Sequence, residues 1–98
     1  MTLDEFRETL REATPPAGLS PSLEALWRIA NDEWDAAHRL VQSGLGSDGA
    51  WIHAHLHRIE GDLSNAAYWY RRAGQPVCST PLDEEWAAIA KALLPPGD

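Results

Sequence analysis

The sequence predicts an all-α fold of about six helices in one domain, on three observations. Apolar residues recur at three- and four-residue spacing along most of the chain, helix-capping residues open these windows, and Gly or Pro clusters separate them. With 98 residues, 44% of them hydrophobic, the chain is sized for a single small core. Five dispersed tryptophans enlarge that core, because each buries roughly 150–250 Å².

Thr2 with Glu5 forms a capping box, and Leu3, Phe6 and Leu10 mark a first helix to about Ala13. The segment T-P-P-A-G-L-S-P breaks it. Ser20 and Pro21 open a second helix with the stripe Leu23, Leu26, Trp27 and Ala30. Asn31 and Asp32 are placed to cap a third, running through Trp34, Ala37, Leu40 and Val41 to the stop Gly44-Leu45-Gly46. Ser47 and Asp48 cap a fourth, which Gly61 closes. Asp62 and Ser64 offer caps for a fifth, with the face Leu63, Ala66, Ala67, Tyr70 and Ala73 and a stop at Gly74. After Q-P-V-C-S-T, Thr80-Pro81 starts a sixth, with Trp86, Ile89, Ala90 and Leu93 inward and Pro95-Pro96 at its end. The expected organisation is one domain over 1–98: a helix and Pro-rich linker (1–19), two helical hairpins (20–74), and a loop with a final helix (75–98).

Between Trp51 and Ile59 the pattern also alternates with period two, which in a strand would set His53, His55 and His57 on one metal-binding face. A helix is favoured: Ser47 and Gly61 bracket a sensible helical length, Ala and Leu are poor strand formers, and no partner strand is in sight. On a helix His53 and His57 share a face and His55 does not.

The net charge of −7 is unevenly spread: −5 before Gly49, +1 from Gly49 to Gly74, and −3 thereafter. Such a chain is poorly suited to a phosphate backbone, which argues against nucleic acid, while a small anion at a local cluster stays allowed. Cys78 is the single cysteine, so an intrachain disulfide and a Cys-rich zinc site are excluded and a reducing compartment is favoured. The acidic start M-T-L-D-E-F-R-E does not resemble a signal peptide, and no apolar run approaches a membrane span. A cytoplasmic protein without a membrane partner is expected.

The one non-acidic segment, A-W-I-H-A-H-L-H-R-I-E-G-D-L-S-N-A-A-Y-W-Y-R-R-A-G (50–74), gathers three of four histidines, both tyrosines and three of seven arginines. N-D-E-W-D-A-A-H-R-L-V-Q-S-G (31–44) precedes G-D-L-S-N-A-A-Y-W-Y-R-R-A-G (61–74) by 30 residues, bringing Ala36-Ala37 onto Ala66-Ala67 and Gly44 onto Gly74. The second unit resembles a tetratricopeptide repeat through Gly61-Asp62, Ala66, Tyr70 and Ala73, which implies paired helices meeting at Ala54 and Ala66 with Tyr70 beside them. The whole block also resembles the core of a family of small helical proteins with no assigned function.

Within the block, His53 and His57 stand one helical turn apart, the spacing that offers two imidazoles to one metal, with Glu60 on the same side and His38 able to arrive from the third helix. A zincin would carry Glu where Ala54 stands. The structural use of the same residues is packing, with hydrogen bonds to Glu60 or a tyrosine hydroxyl. Arg71 and Arg72 follow Tyr68-Trp69-Tyr70, a combination that builds cation–π platforms able to receive a planar or anionic ligand; their structural use is to pair with carboxylates near the helix C-terminus. Asp83, Glu84 and Glu85 fit the first turn of the last helix, where they favour its dipole. Histidines exist elsewhere in the chain, but no Cys-His order that would make Cys78 a nucleophile can be argued from the sequence, and most lone cysteines are packing residues.

These observations point to a binding or interaction module rather than an enzyme, without a cofactor. It would recognise an acidic peptide, as part of a protein partner, or a small anionic ligand through Trp51, His55, Arg58, Trp69, Arg71 and Arg72. Arg58→Ala with Arg72→Ala is expected to abolish binding and leave the fold. The alternative is a small metal-dependent enzyme or metal-binding protein, taking zinc or another divalent transition metal on His53, His57, Glu60 and His38. A homodimer burying Trp27, Trp86 or Trp69 is a further expectation.

Overall fold

A computed structural model describes residues 1–95. Among them are six helices: α1 (Leu3–Thr9), α2 (Pro21–Ala30), α3 (Trp34–Gln42), α4 (Gly46–Ile59), α5 (Leu63–Ala73) and α6 (Leu82–Leu93). No strand occurs among the described residues, so 51–59 is helix. Pro96, expected to help end α6, lies outside the described residues.

The N-terminal signals act as their chemistry requires. Thr2 and Glu5 close a reciprocal capping box on α1, and the Ser20 hydroxyl accepts from Leu23 N–H ahead of Pro21 at the first turn of α2. α1 ends at Thr9 rather than Ala13, where i→i−3 hydrogen bonds take over at Leu10 to Glu12. Asp32 does not cap α3. It sits at φ 60° past the end of α2, where Glu33 N–H bonds to Arg28 C=O and Asp32 N–H to Ile29 C=O, a Schellman turn. Arg28 holds this turn by pairing with both Glu24 and Glu33. Gly61 makes the same turn after α4, with Asp62 N–H bonded to His57 C=O, so the α2–α3 and α4–α5 hairpins close alike.

Asp62 then caps α5, accepting from Asn65 N–H and the Ser64 hydroxyl. Asp62→Ala is expected to cost about 1 kcal/mol, read from the urea midpoint. Ser47 and Asp48 lie inside α4 rather than capping it: the helix begins at Gly46 and has no side-chain cap.

α4 is the central element, packing against α2, α3, α5 and α6. It is therefore buried on nearly all sides, and eight of its residues are buried, His53, His55 and His57 included. The larger core joins Phe6, Leu26, Trp27, Ile52, Leu56 and Ile89, while a smaller seam of Ala54, Ala66 and Tyr70 lies between α4 and α5. Small residues on the seam let the two helices approach closely.

Three indoles tie helices together through main-chain carbonyls: Trp27 to Thr9 (3.2 Å), Trp34 to Leu56 (2.9 Å) and Trp86 to Leu26 (2.8 Å). Burial of Trp27 and Trp86, at 2% and 8% exposure, removes both as homodimer contacts. Ala25 is buried where Ala30 was expected to be, and Leu63 is 67% exposed, because it stands at the first position of α5 beyond the end of α4.

Candidate functional site

α4 presents its histidines to two sides because successive residues turn by about 100°, leaving His53 and His57 one turn apart and His55 nearly opposite. On one side His53 and His57 meet His38 from α3. His38 and His53 face each other Nε2 to Nε2 at 3.0 Å, and one nitrogen from each of the three rings lies within 4.8 Å of the other two. Aromatic walls hold the group in place: Trp34 stacks on His38 (4.7 Å between centroids) and Trp69 on His53 (3.8 Å). His57 donates from Nδ1 to Glu60, which fixes its tautomer and leaves Nε2 to accept from the Asn65 amide at 3.3 Å.

Burial, and after it the adjacent imidazoles His38 and His57, drives the His53 pKa down to about 4. Burial and His57 also lower His38. Both rings are therefore neutral at pH 7, and a single proton serves the contact between them.

Beside the trio opens a cleft of about 760 Å³ between the α3–α4 corner and α5, lined by Leu45, Gly46, Ser47, His53, Trp69 and Arg72 among others. The Arg72 guanidinium lies 5.3 Å from the Trp69 ring centre and bonds to the Tyr68 hydroxyl at 3.1 Å. Among the described residues no carboxylate reaches it within 4 Å. Arg71 is exposed and likewise without a carboxylate, so the expected surface pairing of these two arginines does not form among the described residues.

On the other side of α4, His55 and Arg58 are structural. Glu85 of α6, 3% exposed, receives hydrogen bonds from His55 Nδ1 (2.7 Å), Arg58 Nη1 (2.7 Å) and the Tyr70 hydroxyl. Arg58 also bonds to Thr80 C=O at 2.6 Å. Burial alone would raise the Glu85 pKa, but the three hydrogen bonds outweigh it and hold it at about 2. Burial and the same carboxylate raise Tyr70, which stays a protonated donor.

Neither His55 nor Arg58 lines the cleft, and Trp51 packs half-buried against both core clusters. Removing Arg58 would therefore disturb the fold, contrary to the expectation that Arg58→Ala spares it. Glu60 bonds to His57 and is not one of the three converging groups, and Glu85 is a buried acceptor rather than a dipole-favouring surface acid.

Sequence reasoning missed Glu85, Asn65 and the Gly46-Ser47 wall. For Glu85 a signal existed: it precedes Trp86 and lies four residues before Ile89, which places it on the inward face of α6. Compared with known proteins, the chain matches no family model, no curated protein and no solved structure.

Proposed function

We infer that the protein is a cytoplasmic binding module that takes a small carboxylate-bearing ligand in the cleft beside His53, Trp69 and Arg72. The observation that carries this reading is Arg72: a guanidinium held over an indole at the wall of a cleft, with no carboxylate among the described residues to satisfy its fork. A guanidinium presents paired donors that match a carboxylate, and a charge-assisted bond of this kind is roughly twice as strong as a neutral one. The uncapped start of α4 reaches the same cleft through Gly46 and Ser47, and amides of a first helical turn favour negative charge.

At about 760 Å³, the cleft suits a small molecule. A net charge of −7 disfavours a long acidic peptide, whose charges beyond the cleft would be repelled. The seam of Ala54, Ala66 and Tyr70 supports reading α4 and α5 as a tetratricopeptide-like hairpin that scaffolds the site. Binding rather than catalysis fits Cys78, which contacts Thr80 and lies by Arg58 and Tyr70 instead of in the cleft.

The test is a titration of metal-free protein, with chelator present, using benzoate as a planar carboxylate probe and tryptophan fluorescence as the signal. Arg72→Ala should weaken binding about tenfold or more, as expected for loss of a charged hydrogen bond, with an unchanged urea midpoint. Equal affinity in wild type and variant would refute the placement.

A further inference from the structure

We propose that His38, His53 and His57 form a binding site for one divalent transition metal of the zinc class. The convergence of three imidazoles carries the proposal independently of the carboxylate reading. In a tetrahedral site with metal–nitrogen bonds of about 2.0–2.1 Å, ligand nitrogens stand about 3.3–3.4 Å apart. The His38–His53 pair, at 3.0 Å, needs to open slightly and release the proton between its two nitrogens. With all three nitrogens within 4.8 Å of one another, the widest separation closes by at most about 1.5 Å to reach that geometry.

The surroundings of His57 match what a metal-binding histidine requires. Such a histidine usually donates its second ring N–H to a carboxylate or carbonyl, which fixes the tautomer and orients the lone pair. His57 does this with Glu60, so it would ligate through Nε2, where Asn65 now donates. Asn65 is partly exposed in the first turn of α5 and can turn aside. Trp34 and Trp69 restrain the rings of His38 and His53, which limits the conformational entropy lost on binding.

In the metal-free protein one proton lies between His38 Nε2 and His53 Nε2, so binding requires the ring that holds it to carry its proton on Nδ1 instead, which leaves both Nε2 lone pairs to the metal. Three protein ligands leave a fourth position for water or an exogenous donor. His53, as a lining residue of the cleft, is where such a donor would arrive. His57, Glu60 and Asp62 also bring ligand atoms within 4.8 Å of one another, but Asp62 is engaged as the α5 cap.

The experiment is a titration of the full chain with Co(II), followed by visible absorption, alongside thermal melts with added Zn(II). The expected results are one Co(II) per chain with the intense d–d bands of a tetrahedral site, and a rise in Tm with zinc, since a ligand of the native state must stabilise it. His38→Gln and His53→Gln should each abolish the bands. Glu60→Gln should keep them and weaken affinity about 10–100-fold, as for loss of an orienting carboxylate. Wild-type protein showing neither d–d bands nor a zinc-dependent Tm would overturn the proposal, as would bands that survive in both histidine variants. Benzoate binding by chelator-treated protein reports on the cleft separately, so the two readings can fail independently.

Discussion

Glu85→Gln is expected to destabilise the protein by about 3–5 kcal/mol, more than any surface acid. The substitution preserves shape but removes the negative charge that faces Arg58, whose side chain is only 12% exposed. An unpaired cation in that position is far costlier than the intact pair is stabilising. His55 and the Tyr70 hydroxyl lose their charged acceptor at the same time. The neighbouring Glu84→Gln, on an exposed residue, should fall within about 0.5 kcal/mol of wild type. Urea denaturation of both variants makes the comparison.

The same carboxylate sets an acid limb. Its folded-state pKa of about 2 lies below the ordinary value of 4.5, so the unfolded chain takes up the proton more readily. The stabilisation is fully present above pH 4.5 and is lost as pH falls from there toward 2. In Glu85→Gln this component of the acid limb should vanish, leaving a flatter profile.

Trp86→Ala is the second large effect, expected at about 3–5 kcal/mol. The indole stacks on Phe6 of α1 at 5.8 Å and donates to Leu26 C=O of α2, so it ties α6 to two other helices. Truncation leaves a cavity in the larger core and a buried carbonyl without that donor. Trp86→Phe should cost less, because it keeps an aromatic ring beside Phe6 and leaves a smaller cavity, while losing the N–H. A thermal melt separates the two.

Much of the fold was legible because helix signals are local. Thr2 with Glu5, Ser20 with Pro21, Asp62, Gly61 and Gly74 act through neighbours within a few residues, and they mark boundaries correctly wherever no competing turn exists. Asp32 fails as a cap because a Schellman turn claims it first. Leu63 fails as a core residue because periodicity specifies a face of a helix and not how far the neighbouring helix extends.

The site was legible in part for the same reason. The 100° turn per residue separates His55 from His53 and His57, and that reading needs no tertiary information. Which partner each side meets is a tertiary matter. Arg58 and Arg72 look alike in sequence, yet Glu85, 27 residues downstream, takes the first, while Arg72 stays with Trp69 and Tyr68 at the cleft.

The cleft assignment is tested most directly by a heteronuclear NMR titration of metal-free protein with benzoate. The predicted result is a set of shifts confined to Gly46, Ser47, the Trp69 indole and Arg72, with Tyr70 and Thr80 unmoved. Shifts centred instead on Arg58 and Glu85, or none at saturating benzoate, would contradict it.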